Sequence, residues 1–378
     1  LEKERKINLL FVLIQLNPGG SEKIVLELAR NLDRSKFNIH LAFFLNGPLE
    51  RNFKEICQGV FRIPKKNGFD LFAMLKLSKI IQNNHIDVIN AHHYMPFVYS
   101  YLGTKVLHKK KLIYTEHSVP EVELVLGGKH KHLFSLMLRN TDGVVGVSKE
   151  IAETLKKSFP RYSERIQSIV NGLDVDRFAI SVDRNKLRSK WGILPVHFVI
   201  GNIANFRNVK NHACLIRAFS RLSNIYPYIR LVLAGKGYPE DKENSEEEVR
   251  YLIEKFNLQD RVILTGFQED IPNILHIFDV FCLPSFSEGL PGSILEAMAA
   301  SVPVVGSNVR GIKEVIDHGN TGLLFRTDDD KGLADLMEKL IKDLKLRNRL
   351  SKNGFSFVTK YHSLDKWILK YEELFQLI

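Results

Sequence analysis

Cysteine is scarce. Cys57, Cys214 and Cys282 are the only three in 378 residues, and they lie far apart with no CxxC pair. That argues against a disulfide-stapled scaffold and against the common zinc spacings, and it predicts a reducing, cytosolic setting. Long apolar runs are also missing. No stretch approaches the ~18 residues of a membrane-spanning helix, so membrane contact is expected to be peripheral. The basic start at Lys3 and Lys6 leads into residues 7–16 and then Pro18-Gly19-Gly20, with no small-residue cleavage site, so a first buried strand is expected in place of a signal peptide. The chain shows no short repeat, low-complexity tract, helix-turn-helix spacing or metal-ligand cluster.

Acidic residues fall short of basic ones, 43 against 54, for a net charge of +11. Residues 1–180 hold 27 Lys and Arg against 18 Asp and Glu, so the excess sits in the first half. There Lys65-Lys66, Lys109-Lys110-Lys111, Lys129 and Lys131 interleave with His108, His130, His132, Leu126, Leu133, Phe134 and Leu136. This mixture suits an anionic membrane surface, where each basic residue contributes ~1 kcal/mol. A solvated charged face is the alternative. Nucleic acid is not expected, because the basic residues belong to no recognised binding module.

Hydrophobic residues make up 44% of the chain, and its length exceeds the ~250–300 residues at which a single core stops growing. Two domains follow. Short β-branched and aromatic runs at 7–16, 38–45, 88–91, 112–115, 143–147 and 166–170 alternate with helical periodicity, the pattern of parallel βαβ units. The clearest helix is 21–32. After a polar segment at 179–195, read as a linker, a second set of strands follows at 198–203, 230–234, 262–265, 280–283, 302–305 and 322–325. Residues 240–248 form an acidic surface insertion. The fold class is therefore α/β, with two Rossmann-like domains and ligand expected at the carboxyl ends of the strands, in a cleft between them.

One segment carries the chemistry. After the apolar strand 280–283, residues 284–291 read as a loop, with Pro291 suited to the first position of a helix running to about Ala300. Glu296 falls in the second turn and Glu288 in the loop. Between them Gly289, Leu290, Gly292 and Ser293 offer backbone N–H groups to an anion at the helix start, a setting worth ~0.3–1 kcal/mol when exposed. A diphosphate fits, with the two carboxylates gripping neutral sugar and ribose hydroxyls. On spacing alone, two solvated glutamates near a helix start remain open.

Ser287-Glu288-Gly289-Leu290-Pro291 and Glu296-Ala297-Met298-Ala299 resemble the Glu-x7-Glu motif of the family 4 retaining glycosyltransferases, group 1 enzymes of surface-polysaccharide assembly with the GT-B fold. The resemblance runs along nearly the whole chain. It implies that Glu288 contacts hydroxyls of the donor sugar and Glu296 the nucleotide ribose. Gly19 and Gly20 match the glycine loop after the first strand, and His117, in Tyr114-Thr115-Glu116-His117, matches the histidine that reaches the donor sugar. Ser148 reads as an N-cap, Asn171-Gly172 as a turn before the linker, and Asp328 to Asp330 as a helix cap. Gly235 resembles a turn beside the nucleotide, and Gly266-Phe267 the wall that receives the base.

There is one departure. The family places an arginine and a lysine against the diphosphate; here Lys210 is in register, but Asn205 stands where the arginine belongs, with Arg207 two residues on as its substitute. The resemblance implies an acceptor-binding domain at 1–180, onto which a helix at about 360–378 packs back, and a nucleotide-sugar-binding domain at 190–358. It also implies a hexosyl transfer from a nucleotide sugar, a UDP-sugar first, to a glycan or lipid-linked hydroxyl, with retention, same-face attack and no required metal or other cofactor. The rival expectations are a GT-B glycosyl phosphorylase and a non-catalytic carbohydrate or lipid-carrier binding protein on a degenerate glycosyltransferase fold. Asn205 is the only motive for the latter.

Overall fold

The structure is a computed structural model describing residues 5–66, 68–106, 108–118, 122, 130–239 and 241–377. Leu126, Lys129 and Glu240 lie outside the described residues. The chain divides into two compact units, Leu1–Gly172 with Asp365–Ile378, and Leu173–Leu364.

The first unit is built on a seven-stranded, wholly parallel sheet in the order β3-β2-β1-β4-β5-β6-β7. Its strands are β1 Ile7–Gln15, β2 Phe37–Leu45, β3 Gly59–Arg62, β4 Val88–His92, β5 Lys111–Glu116, β6 Gly143–Gly146 and β7 Ile166–Ser168. Leu9 to Leu13 of β1 are all buried, as a parallel strand covered on both faces requires. One face packs on a core of Leu10, Val12, Phe97, Tyr114 and Phe134. On β1, Phe11 meets Phe375 of the last helix, Leu364–Leu377, edge to face with ring centroids 6.2 Å apart. Glu372 of that helix accepts from the Asp33 N–H at 2.8 Å and from Lys36 Nζ at 2.9 Å.

Six parallel strands in the order β10-β9-β8-β11-β12-β13 form the second unit. These are β8 Phe198–Ile203, β9 Ile229–Ala234, β10 Val262–Gly266, β11 Val280–Leu283, β12 Val304–Ser307 and β13 Leu323–Phe325. In each sheet the strand order reverses once, between β1 and β4 and between β8 and β11. Such switch points part the following loops and leave a crevice at the strands' carboxyl ends.

Local reading succeeded where the signal was local. Ser148 caps the helix Lys149–Ser158 by accepting from the Ile151 N–H, and Asp329 caps Asp330–Lys342 by accepting from the Gly332 N–H. Four expectations are corrected. The edge strand β3 was not expected, because it is only four residues long and holds no fully buried residue. The polar segment 179–195 contains the helix Arg184–Ser189, whose buried Arg188 donates to the Ile277 and His197 carbonyls and pairs with Asp279 at 2.7 Å, so it folds into the second unit. Val302 precedes β12. Its N–H closes the preceding helix on the Ala297 carbonyl, with Ser301 left-handed at φ 57°. Phe134, read as part of a surface cluster, is a core residue.

Candidate active site

In the second unit the two loops at the switch point are tied together. After β8 the chain makes a short 3-10 turn, Asn208–Lys210, and Asn211, left-handed at φ 52°, caps the helix His212–Ser223. The loop after β11 donates from the Phe286 N–H to the Val209 carbonyl at 2.8 Å, which fixes one loop against the other. Beyond this clamp Lys210 Nζ donates to Glu288 Oε1 at 2.7 Å, and Ser285 Oγ donates to the same oxygen at 2.6 Å. Ser285 is fully buried, and the Ser307 hydroxyl anchors its carbonyl. The Glu288 side chain is 9% exposed and that of Lys210 25%, so the pair is shielded but reachable.

The helix after this loop is Gly292–Ala299, with Pro291 as its N-cap at φ −79° and ψ 85°, one position earlier than expected. The Gly292 N–H is spent on the Leu290 carbonyl at 3.0 Å, so it is not among the donors left for an anion. Glu296, half-buried, sits in the second turn as expected. Gly289 and Leu290 are partly buried, with Leu290 packed on the core beneath. A Cβ on Gly311 would stand 2.2 Å from the Glu288 carbonyl oxygen and 2.7 Å from that of Gly289, so the absent side chain at Gly311 lets the loop lie where it does.

Gly235 joins three strand ends. It has φ +155°, its N–H donates to the Gly266 carbonyl at 2.9 Å, and a Cβ there would lie 1.9 Å from the Ala204 oxygen. Phe267 follows, half-buried. Asn205 is half-buried and its carbonyl accepts from the Arg207 N–H. The Arg207 guanidinium lies 2.7 Å from Asp241 and 3.1 Å from Glu243. Two carboxylates therefore lie against the arginine expected to replace the missing one, and Lys210 pairs with Glu288.

In the first unit Gly19 caps the helix Gly20–Asn31, and its missing Cβ makes room for Glu22, whose Oε2 would lie 2.3 Å from it. Glu22 is 5% exposed, and burial raises its carboxyl above the ordinary value. His117 follows β5, and its Nε2 lies 2.8 Å from Nδ1 of His92, the last residue of β4. His93 is held at φ +71°, a strained conformation for a residue with a Cβ, and its ring lies over His117 with centroids 4.9 Å apart. Glu116 accepts from the N–H groups of His117 and Ser118 and from the Tyr114 hydroxyl, and His93 Nδ1 is 3.6 Å from it. Burial, then the neighbouring imidazoles, holds His117 well below the usual histidine range; His92 is lowered in the same way. Sequence reasoning singled out His117, named Glu22 and Ser285 only within motif segments, and did not single out His92, His93 or Gly311. The adjacent histidines ending a strand were the one available signal.

Two parallel α/β units, each with polar side chains gathered at its switch point, define a nucleotide-sugar-transferase architecture. Residues 183–357 match the family described as "Glycosyl transferases group 1" and residues 18–177 match "Glycosyltransferase Family 4". The chain belongs to these glycosyltransferases and is an enzyme of that kind. It is 27% identical over 368 residues to the N-acetyl-alpha-D-glucosaminyl L-malate synthase of Bacillus anthracis, covering 94% of this chain and 93% of that one. It is 24% identical over 384 residues to the Escherichia coli UDP-Gal:alpha-D-GlcNAc-diphosphoundecaprenol alpha-1,3-galactosyltransferase, covering 96% and 95%. Among solved structures, Anabaena HepE in complex with UDP and glucose superposes with a TM-score of 0.84 at 22% identity, covering 98% of this chain and all of the other. The fold is GT-B.

Proposed function

We propose that the enzyme transfers a hexosyl group from a UDP-sugar to a hydroxyl of a glycan or lipid-linked acceptor, with retention at the anomeric carbon. The observation that carries this reading is the Lys210–Glu288 pair at the β8/β11 switch point, beside the start of the helix Gly292–Ala299. The Lys210 ammonium and the helix N-terminus stabilise charge on the departing diphosphate, while Glu288 and Glu296 accept from sugar and ribose hydroxyls. His117 contacts the donor sugar, and Gly19 and Gly20 let the backbone approach the reacting groups. UDP as the nucleotide is supported by its presence in HepE and by the name of the E. coli relative, which also names a polyprenol-linked acceptor. With no carboxylate assigned as nucleophile, the leaving phosphate takes the acceptor proton in a same-face attack.

The test is a thermal-shift screen against UDP-sugars followed by NMR of the product. A bound donor at 100 times its Kd adds about 2.7 kcal/mol of stability. An axial-to-axial or equatorial-to-equatorial outcome is expected at the transferred carbon. Inversion would remove the retaining mechanism, and turnover with inorganic phosphate alone would replace transfer by phosphorolysis.

The first unit is proposed to rest on an anionic membrane surface. Its helix Leu71–Asn83 points Phe72 (77% exposed), Leu75, Lys76 and Lys79 outward at i, i+3, i+4 and i+7. Phe69 and Leu71, at the start of this helix, are exposed, and so are Leu133 and Leu136 on His130–Arg139. Exposed apolar side chains interleaved with lysines match an interface of acyl chains and anionic headgroups. Sedimentation with anionic liposomes at low salt is expected to retain the protein and to lose it when Phe72 and Leu75 become serine; equal retention by neutral liposomes would overturn the electrostatic part.

A further inference from the structure

The two histidines that end β4 and follow β5 act as a unit. His92 is fully buried, with its ring centroid 5.9 Å from that of Phe11 and 5.1 Å from that of His117. Its Nδ1 meets His117 Nε2 at 2.8 Å, while its own Nε2 is buried with no partner among the described residues. Only one of two facing ring nitrogens can carry the shared proton. If His117 donated, neutral His92 would keep its proton on Nε2 and bury an N–H with no acceptor, the orphan that folded proteins most consistently avoid. If His92 donates from Nδ1, the unpartnered Nε2 is only a lone pair. The second arrangement is the better satisfied. His117 then accepts at Nε2 and must carry its own proton on Nδ1.

We propose that His92 is a positioning residue that locks His117 in its Nδ1–H tautomer, so that His117 meets the donor sugar as a hydrogen-bond donor and not as a base. The inference rests on the reading of His117 as a donor-sugar contact given above. His93 adds to the lock: its strained backbone brings its ring to 4.9 Å from that of His117, centroid to centroid, and its N–H is tied to the Thr115 carbonyl at 3.0 Å. With Glu116 accepting the His117 backbone N–H at 2.7 Å, the main chain and the ring of His117 are both held. Among the described residues His92 is the hydrogen-bond partner of His117 Nε2, so the tautomer follows from His92.

The test is a long-range proton–nitrogen spectrum of the full chain labelled with 15N-histidine, with the His117 signal identified by its loss in His117→Gln. The expected result is protonation of His117 at Nδ1 and a bare Nε2; protonation at Nε2 overturns the proposal. This spectrum needs no substrate, so it decides the tautomer whether or not the donor assignment holds. His92→Leu is expected to lower kcat roughly 10- to 100-fold, the range seen when the partner that orients an imidazole is removed, with donor KM changed by less than about threefold. His92→Asn places an amide N–H near the Nδ1 position and is expected to recover most of the rate and the wild-type tautomer. If His92→Asn stays folded and binds UDP yet loses as much kcat as His92→Leu, the positioning role is overturned. Should His92→Leu fail to fold, the wild-type spectrum and His92→Asn still decide.

Discussion

Lys210→Ala is expected to slow sugar transfer by about 10²–10³-fold, the usual loss when one preorganised charge at a reacting oxygen is removed. Two consequences of the same change add. The departing diphosphate loses the Lys210 ammonium proposed to face it. Glu288, whose side chain is 9% exposed, loses its ion pair and keeps the hydrogen bond from the Ser285 hydroxyl. Arg207 does not rescue the variant, because Asp241 and Glu243 hold its guanidinium. Glu288→Gln is expected to be slow as well, and the double variant about as slow as the worse single one, since the two side chains act as one unit. The measurement is steady-state kcat and KM of the four proteins with a UDP-sugar, together with the thermal shift by UDP. Undiminished turnover in Lys210→Ala would remove the donor-site assignment.

Gly311→Ala is expected to do comparable harm without touching any charged group. A methyl there would meet the carbonyl oxygens of Glu288 and Gly289 at 2.2 and 2.7 Å, and these are backbone atoms that cannot swing aside like the end of a long side chain. The loop must move. It is held on its other side by the Phe286 N–H to Val209 bond and by the Ser307 hydroxyl on the Ser285 carbonyl, so movement costs one of these or displaces Glu288 from Lys210. A shift of about 1 Å at a reacting centre costs about 10²-fold in rate, and overpacking of this kind about 1–3 kcal/mol in stability. Activity assays and urea denaturation check both. A variant with wild-type rate would show that the loop tolerates the shift and that Glu288 is not held where the geometry puts it.

How far the site was legible differs residue by residue. Lys210, Glu288 and Glu296 could be named because each lies in a short segment that resembles a known family's motif. The pairing of Lys210 with Glu288 could not, because the two lie 78 positions apart and meet only through the placing of β8 beside β11. Arg207 was expected at the diphosphate because it lies close to Asn205 in sequence. In the structure its guanidinium lies against Asp241 and Glu243, from a segment read as a surface insertion. Pro291 moved by one position because a helix start depends on the dihedral angles of the incoming chain, here ψ 85° at the proline, which residue type does not set.

By itself the sequence determined two sets of alternating strands and helices, the caps at Ser148 and Asp329, and which loops carry chemistry. The elements and caps follow from periodicity and residue type within a few positions, where backbone sterics and local hydrogen bonds decide; the loops were marked by their resemblance to a known family's motifs. Tertiary structure alone decided which acid faces which base, that β3 forms an edge, that His92 reaches His117, and that Gly311 must be small. Each of these depends on strand order and on how closely two backbones approach, and neither quantity is written in the local pattern of a chain.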